Sequence, residues 1–363
     1  MLFNISHNAM NINDSFLEKV LQKIINHGGV PILVGGCVRD AFLHLELKDY
    51  DIEVFELPSL EFLEEILEEF GSVNLVGKSF GILKLSTDTM EYDFSFPRLE
   101  TKTTQGHRGF DVVVDGALNF YEASKRRDFT INAIGYDYKN KTYLDPFDGI
   151  KDLQNKVLKH IDDDTFIEDS LRVYRAIQFS ARFDFSIDSS TFLLCKTIVS
   201  TEEFKTLSKE RIYEEYKKLF LKSKQPSLGL QILNELKIEQ FEPSVMRCID
   251  EIVNTTITSS DKLILIYFLL EKLFLQISDD KKILKKITKL KNFRVPRIYE
   301  NQIDKKSTFI EQLIVKYEML NNMPKPLFMG KDLIKMGYKP SEKFKTILDT
   351  LYKMQLDGEI CSQ

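Results

Sequence analysis

The hydrophobic periodicity of this 363-residue chain changes once, near Leu153, and that change limits the possible folds more than any other feature. Before it, short apolar or alternating runs of strand length are interleaved with amphipathic runs of helix length. After it, apolar residues recur at helical spacing. We therefore predict an α+β protein with a mixed head over residues 1–152, an all-helical neck over 153–223, and an all-helical body and tail over 224–363.

Individual elements follow from the same periodicities. Alternating or continuous apolar runs bounded by turn residues predict strands at residues 31–34, 49–55, 81–85 and 92–96. Amphipathic runs predict helices at residues 38–47, 60–70 and 209–220. The spacing of Thr165 and Glu168 is that of a capping box, which predicts a helix that starts there and continues to Phe183.

Composition narrows the class of protein. No apolar run approaches the roughly 20 residues of a transmembrane helix, and no secretory signal is evident. The four cysteines lack metal-ligand spacing, so we expect reduced thiols in a cytoplasmic protein with no membrane partner. None of the five histidines is next to an aspartate, which disfavours a His-Asp metal phosphohydrolase.

Two carboxylates mark a candidate catalytic strand. Asp49 and Asp51 are two residues apart in a predicted strand, so their side chains share one face. Two like charges so close are costly unless a cation lies between them, and a hard divalent cation with oxygen ligands fits. Asp93 would complete a three-carboxylate site for two Mg²⁺ ions, the arrangement that phosphoryl transfer needs, if its strand lies next to the first. The alternative is an ordinary acidic strand that faces solvent.

A glycine pair precedes this strand. Gly35 and Gly36 follow the first predicted strand and open a helix. Glycines there let backbone N–H groups approach a phosphate, and the helix N-terminus adds positive potential. Arg39 is placed to contact the same anion. A strand, a glycine turn, a helix and an acidic strand in this order suit a nucleoside triphosphate.

With these residues in place, the chain resembles class II tRNA nucleotidyltransferases and bacterial poly(A) polymerases. The head motif of that family is similar to Gly35-Gly36-x-Val38-Arg39-Asp40 followed by Asp49-x-Asp51. Further motifs follow in family order over about residues 32–220: a ribose-recognition motif at 126–133, a head-to-neck hinge at 145–153, a nucleotide-selecting helix at 168–175 and a last neck motif at 209–212. The tail, residues 330–358, is similar more loosely.

The resemblance implies a polymerase-β-like nucleotidyltransferase head and template-independent addition of CCA to the 3′ end of tRNA from CTP and ATP. It implies Mg²⁺ on Asp49 and Asp51, with Asp93 as the third catalytic carboxylate. The residues it assigns to nucleotide binding are Gly35, Gly36, Arg39, Arg126, Arg127, Asp128, Asn132, Asp169, Arg172 and Arg175. Two positions depart from the pattern: His44 replaces a glycine found in many relatives, and Gln178 an arginine found in some.

Base selection can be argued from Asp169 and Arg172. They are three residues apart on the predicted helix, so their side chains are expected to be neighbours. Asp169 offers only acceptors and Arg172 only donors, which matches the amine and ring nitrogen of cytosine and adenine. Uracil and guanine present a carbonyl and an N–H instead, and mismatched buried polar groups are costly. A plain intrahelical salt bridge is the alternative.

A local basic run is a candidate RNA-binding surface. Although the net charge is −5, residues 279–297 contain eight Lys or Arg against two Asp. Phosphate contacts supply much of the affinity for nucleic acid, so such a patch is needed somewhere. Four lysines recur at helical spacing and are expected to share one face: Lys282, Lys285, Lys286 and Lys289. The alternative is a solvated helix face.

Three other functions stay open. A poly(A) polymerase usually carries a longer basic extension and more Arg and His than residues 77–84 have. A CC-adding enzyme lacks a flexible loop after the third carboxylate, whereas residues 98–110 fill that region here and favour A addition; an A-only enzyme also remains possible. A catalytically inactive RNA-binding protein is disfavoured by the intact pair Asp49 and Asp51. The sequence does not distinguish Mg²⁺ from Mn²⁺.

Overall fold

The computed structural model describes residues 10–47, 49–76, 81–87, 90–102, 110–114, 118–278, 280–293 and 309–360. The chain forms two compact units, Met1–Leu219 with Leu228–Gln240 and Phe220–Ser227 with Phe241–Gln363. The predicted boundary between head and neck, at residues 152 and 153, lies inside the first unit. The division into head, neck, and body with tail therefore stays a prediction.

A seven-stranded mixed sheet forms the centre of the first unit, in the order β3-β4-β5-β2-β1-β8-β9. Strands β2 and β5 run parallel and all other neighbours run antiparallel. The strands are β1 (Val30–Val34), β2 (Asp49–Phe55), β3 (Val73–Val76), β4 (Ile82–Ser86), β5 (Glu91–Ser95), β8 (Gly135–Asp137) and β9 (Thr142–Leu144). The mixed sheet, with helices around and after it, confirms the predicted α+β class.

The two faces of this sheet are covered differently. On one face, helix α1 (Ser15–Asn26) packs against the strands, and its Phe16 ring lies 5.6 Å from the ring of Tyr92. On the other face, Ile32, Val34 and Phe55 form a core with Ala123 of helix α4 (Phe120–Lys125). Strand β2 therefore sends its alternate side chains to two different environments, as the period of a strand requires.

Most predicted elements of the head are confirmed within two residues, including β2 and helix α3 (Leu60–Glu68). The helix predicted at 38–47 is shorter and is observed as α2 (Gly36–Phe42). It ends because His44 has a φ of 53°, the left-handed conformation that stops a helix and that glycine adopts at least cost. A glycine at this position would adopt the same conformation at lower cost.

The helix predicted to start at Thr165 is wrong. Helix α6 (Asp163–Ile167) starts earlier because the Asp162 side chain accepts a hydrogen bond from the Thr165 amide at 3.0 Å. The chain then breaks at 168–171, where the Asp169 carboxylate accepts from the Leu171 amide, and α7 (Arg172–Phe183) begins. A local side-chain turn thus outcompetes the continuous helix.

The segment 98–110, expected as a flexible loop, contains regular structure. Strand β6 (Arg98–Lys102) pairs antiparallel with β7 (Phe110–Val114), from Arg98 opposite Val114 to Lys102 opposite Phe110. Residues 103–109 lie outside the described residues. A second short pair, β10 (Val157–Leu158) with β11 (Ser186–Ile187), was not predicted, because two-residue strands leave no periodicity.

The first unit contains further helices after β9. They are α5 (Gly149–Asn155), α8 (Ser189–Val199), α9 (Glu202–Lys205), α10 (Lys209–Lys222) and α11 (Ser227–Glu235). The C-terminal residues of α10 and the first residue of α11 belong to the second unit. A 3₁₀ turn at Thr130–Asn132 precedes β8.

The second unit is helical wherever the structure describes it. Helix α13 (Ser259–Leu269) is its centre: Leu265, Ile266 and Tyr267 are fully buried, and α12, α14, α15 and α16 all contact it. A helix that is apolar on all sides needs such a central position. The surrounding helices are α12 (Pro243–Val253), α14 (Glu271–Ile277), α15 (Lys281–Asn292), α16 (Phe309–Asn321), α17 (Gly330–Lys335) and α18 (Lys343–Leu356). Among the described residues, no helix is long and apolar enough to cross a membrane.

Candidate active site

The predicted carboxylates lie side by side on the sheet. Asp49 and Asp51 are exposed on β2, whereas Tyr50 and Ile52 between and after them are buried on the opposite face. Because β2 and β5 are parallel neighbours, Asp51 is paired directly with Asp93. The expectation that the strand of Asp93 lies next to that of Asp49 and Asp51 is confirmed.

The oxygen donors of this edge suit a hard cation. Enclosure by the surrounding protein raises the pKa of Asp51 to about 6; the charges of Asp93 and Asp49 add to the increase, and Arg127 opposes it. Asp51 is nevertheless exposed as a residue, so a cation could reach it from solvent. A divalent cation at Asp49 and Asp51 would relieve this repulsion.

The third carboxylate lies beside Asp51 but has a lysine partner of its own. The Lys84 ammonium lies 3.4 Å from Asp93 Oδ1 and 3.0 Å from Glu91 Oε2, so Asp93 is neutralised across the sheet. Within the part of the chain that the structure describes, no three Asp, Glu, His or Cys side chains are close enough to hold a metal. Asp49 and Asp51 fit a cation site, and Asp93 as a ligand stays a prediction.

The glycine turn brings an arginine to this edge. Gly35 has a φ of 70° and caps α2. A Cβ atom at Gly35 would lie 3.0 Å from Arg127 Nη1 and 3.5 Å from Asp51 Oδ2. The turn therefore lets the Arg127 guanidinium approach the backbone next to Asp51, a close approach that any other residue would obstruct.

A buried glutamate on the same strand holds two arginines. Glu53 is 1% exposed, and its Oε1 accepts from Arg126 Nη2 and, at 3.0 Å, from Arg127 Nη2. Glu53 is on the same face of β2 as Asp49 and Asp51, further along the strand. Its burial could not be foreseen, because the cover comes from residues about 70 positions later in the chain.

The predicted ribose motif forms a buried network. Asn132 Nδ2 donates to Asp128 Oδ1 at 2.8 Å, and Arg175 Nε donates to Asp128 Oδ2 at 2.6 Å. Arg39 Nη1 donates to Asn132 Oδ1 at 2.6 Å. Burial alone would raise the pKa of Asp128, but Arg175 and Asn132 outweigh it and lower the pKa. The network joins α2, the 3₁₀ turn and α7 in one chain of contacts.

Arg39 is not placed as an open phosphate ligand in this structure. Its guanidinium is buried, pairs with Asp40 at 2.6 Å, and lies 4.8 Å from the centre of the Phe183 ring. These contacts hold the Arg39 side chain, which in turn holds Asn132 through its hydrogen bond. The predicted phosphate contact of Arg39 stays untested, and its observed contacts are those of a positioning residue.

The side chains of Asp169 and Arg172 each have another partner, although the Arg172 amide donates to the Asp169 carbonyl oxygen at 2.9 Å. Asp169 Oδ2 accepts from Arg211 Nη2 at 2.7 Å, so its partner comes from the predicted last neck motif. Arg172 donates to the carbonyl oxygens of Thr165 at 2.6 Å and Arg126 at 2.7 Å. The expectation of neighbours on one helix is wrong because α7 begins only at Arg172. The alternative of an intrahelical salt bridge is wrong for the same reason.

The basic run lies on α15 in the second unit. Lys282, Lys285 and Lys289 are exposed, and Ile287 and Leu290 are buried. Lys286 is also exposed but lies 3.5 Å from the hydroxyl of Tyr317. The lysines thus share a solvent-facing side, as predicted, and Arg294 and Arg297 lie outside the described residues.

A cavity of about 680 Å³ in the first unit is separate from these residues. Asp14, Leu45, Tyr50 and Tyr143 are among the residues that line it. Tyr50 faces the side of β2 opposite to Asp49 and Asp51, so this cavity is not the candidate active site.

Residues 32–159 match the family described as the poly(A) polymerase head domain. The multifunctional CCA protein of Aliivibrio salmonicida is 37% identical over 207 residues, a match that covers 56% of this chain and 48% of that protein. The chain therefore spans about half the length of the curated relatives it matches.

Solved structures match over nearly the whole chain. The CCA-adding enzyme of Bacillus stearothermophilus in complex with CTP has a TM-score of 0.70 at 21% identity, covering 96% of this chain and 95% of that one. The Thermotoga maritima CCA-adding enzyme complexed with tRNA has a TM-score of 0.66 at 20% identity, covering 97% and 94%. At these identities the likeness establishes the fold.

Proposed function

Because the chain belongs to the family of class II tRNA nucleotidyltransferases and bacterial poly(A) polymerases, we propose that it adds CCA to the 3′ end of tRNA, without a template, from CTP and ATP. The observation that carries the proposal is the pairing of Asp51 with Asp93 on adjacent parallel strands, beside the arginine that the Gly35 turn admits. This edge combines carboxylates for a cation with a guanidinium for a triphosphate.

The family is generally metal-dependent, and we propose Mg²⁺ held by Asp49 and Asp51. When bound there, Mg²⁺ would neutralise charge on the reacting phosphate and the leaving pyrophosphate. Arg127 lies beside these carboxylates and would contact the triphosphate. Asp93, across from Asp51, would join the carboxylate set once Lys84 releases it.

The buried network positions the other predicted nucleotide ligands. Asp128 and Asn132, with Arg39 and Arg175 fixing them, would orient the ribose. Asp169 and Arg172 would read the base edge, with acceptors facing the amine of cytosine or adenine and donors facing its ring nitrogen. In this structure each has another partner, so base reading requires both side chains to exchange these partners for the nucleotide.

The second unit would bind the tRNA. A duplex of A-form RNA is recognised by its shape, phosphates and 2′-hydroxyls. The exposed lysines of α15 suit the phosphates, and we propose that Lys282, Lys285, Lys286 and Lys289 contact them. This activity implies a cytoplasmic enzyme.

The deciding experiment supplies tRNA that lacks CCA, all four nucleotides and Mg²⁺, and sequences the 3′ ends formed. We expect products that end in CCA. Long A tracts would establish a poly(A) polymerase, and products that end in CC, or in a single A on a CC primer only, would establish a partial enzyme. No addition by the intact protein, with tRNA binding retained, would establish an inactive RNA-binding protein.

A further inference from the structure

Glu53 is a buried carboxylate on the candidate catalytic strand that the proposed mechanism has not used. It is 1% exposed, two residues beyond Asp51 on β2 and on the same face. Asp49 and Asp51 reach solvent at the open end of this face, whereas Phe55 beyond Glu53 belongs to the core under α4. Glu53 therefore lies where the open edge of the site meets the covered core.

A carboxylate in this position is costly unless it is paired. Glu53 uses one oxygen, Oε1, for both Arg126 Nη2 and Arg127 Nη2, and its Oε2 has no hydrogen-bond partner among the described residues. The two ion pairs end on the same oxygen atom, so Glu53 holds the two guanidinium groups side by side. A guanidinium carries five N–H donors, so a contact with Glu53 does not prevent a contact with a phosphate.

The contacts of Arg127 direct its guanidinium toward the candidate active site. Arg127 is held through Nη2 by Glu53, while its Nη1 approaches Gly35 beside Asp51. The backbone of Arg126 is fixed separately, because Arg172 donates to its carbonyl oxygen at 2.7 Å. Both ends of the arginine pair are therefore restrained before any nucleotide arrives. Such restraint lowers the entropy cost of binding.

We infer that Glu53 is a positioning residue that holds Arg126 and Arg127 in the orientation that receives the triphosphate of the incoming nucleotide. This inference rests on the proposed function and adds a specific route for it. Glu53 acts through the arginines and contacts neither the nucleotide nor the reacting atoms.

The test is the substitution Glu53→Gln, which keeps the shape of the side chain and one acceptor but removes the charge. Binding of ATP and CTP is measured by equilibrium titration without added metal, and kcat and KM are measured on tRNA lacking CCA. We expect the Kd and KM for both nucleotides to rise about tenfold, as the loss of a charge-assisted hydrogen bond implies. We expect kcat to stay within about threefold, because the arginines orient the ground state.

A matched control lies in the same sheet. Asp137 is also a buried carboxylate, and it is paired across β1 with Ile32, the residue that also faces Glu53. Its partner is Asn140, not an arginine. The substitution Asp137→Asn is the same chemical change at a comparable position, and we expect it to leave the nucleotide Kd unchanged even where it lowers the melting temperature.

A double-mutant cycle separates positioning from general support of the fold. In an Arg127→Met background, Glu53→Gln should raise the Kd for ATP much less than it does alone, because the group through which it acts is gone. Independent, additive effects would overturn the inference, as would an unchanged Kd in Glu53→Gln. If the parent protein neither binds nor adds nucleotides, the proposed function fails. If the parent is active and Glu53→Gln has the same nucleotide Kd, only the inference about Glu53 fails.

Discussion

The substitution Asp128→Asn should destabilise the first unit and weaken nucleotide binding together. Four donor groups converge on Asp128: the Phe129 amide and Asn132 Nδ2 on Oδ1, and two nitrogens of Arg175 on Oδ2. An asparagine that keeps the first two bonds must turn its NH₂ group toward the Arg175 guanidinium. Donor then faces donor, and the arginine charge loses its partner.

The magnitude follows from this geometry. Removing one partner of a fully buried ion pair costs about 3–5 kcal/mol. The Arg175 side chain is 31% exposed, so water compensates part of its charge, and we expect a loss of about 2 kcal/mol in the free energy of unfolding. With the usual urea dependence, the midpoint of urea unfolding should fall by about 1 M.

The pH dependence gives a second, independent signature. The folded pKa of Asp128 lies below its ordinary value of 3.8, although burial by itself would raise it, because Arg175 and Asn132 favour the carboxylate. A lowered folded pKa contributes stability above the unfolded pKa, and this contribution disappears as the pH falls through the folded pKa. The gap between parent and Asp128→Asn should thus be constant between about pH 7 and 5 and close below about pH 4.

The assay is urea unfolding followed by circular dichroism at pH 7, 5 and 3.5, with Asp164→Asn as the control. Asp164 is an exposed aspartate on α6, and its substitution should change the unfolding free energy by less than about 0.5 kcal/mol. An Asp128→Asn midpoint equal to that of the parent at pH 7 would refute the argument. So would a gap that widens as the pH falls.

Three further predictions test the proposed activity. Asp49→Ala and Asp51→Ala should each abolish nucleotide addition while the circular dichroism spectrum stays that of the parent, because both residues are exposed; near-normal turnover would contradict the metal site. Asp169→Ala should relax discrimination against UTP and GTP more than it lowers kcat for CTP and ATP, and unchanged kcat/KM ratios would leave Asp169 as a partner of Arg211 only. Replacing the exposed residues Lys282, Lys285 and Lys289 by Glu should weaken tRNA binding and flatten its salt dependence without changing the ATP Kd. The same charge change at the exposed residues Lys139, Lys196 and Lys205 should leave tRNA binding unchanged. Equal salt slopes in both triple variants would exclude α15 from the RNA contact.

The sequence predicted well what depends on local periodicity. The alternation of β2 and β5 placed Asp51 and Asp93 on strands that proved to be neighbours. A period of two can be recognised from only a few residues, and turn residues mark the strand ends. The helical character of the second unit followed from a different period, the 3.6-residue spacing of its apolar residues.

Sequence periodicity could not identify side-chain partners that are far apart in the chain. Asp169 was assigned to Arg172 because an i and i+3 spacing on a helix makes neighbours. The Asp162 cap and the turn at Asp169 broke that helix, and the true partner, Arg211, comes from α10. The preference for a side-chain cap over a continued helix involves about 1 kcal/mol, less than the tertiary contacts that decide it.

The same limit explains the arginines of the first unit. The sequence placed Arg39 against the anion and the family resemblance assigned Arg126 and Arg127 to nucleotide binding, yet the structure pairs Arg39 with Asp40 and the other two with Glu53. A guanidinium offers five donors, so contact with a protein carboxylate does not use up its capacity for a phosphate. Asp40 is likewise shared, by Arg39 at 2.6 Å and by Arg182 at 3.5 Å, so the number of ion-pair partners does not separate the two sets of arginines. Their positions do: Arg127 Nη1 lies beside Gly35 and Asp51, where we propose that the triphosphate binds, whereas Arg39 contributes through the orientation of Asn132.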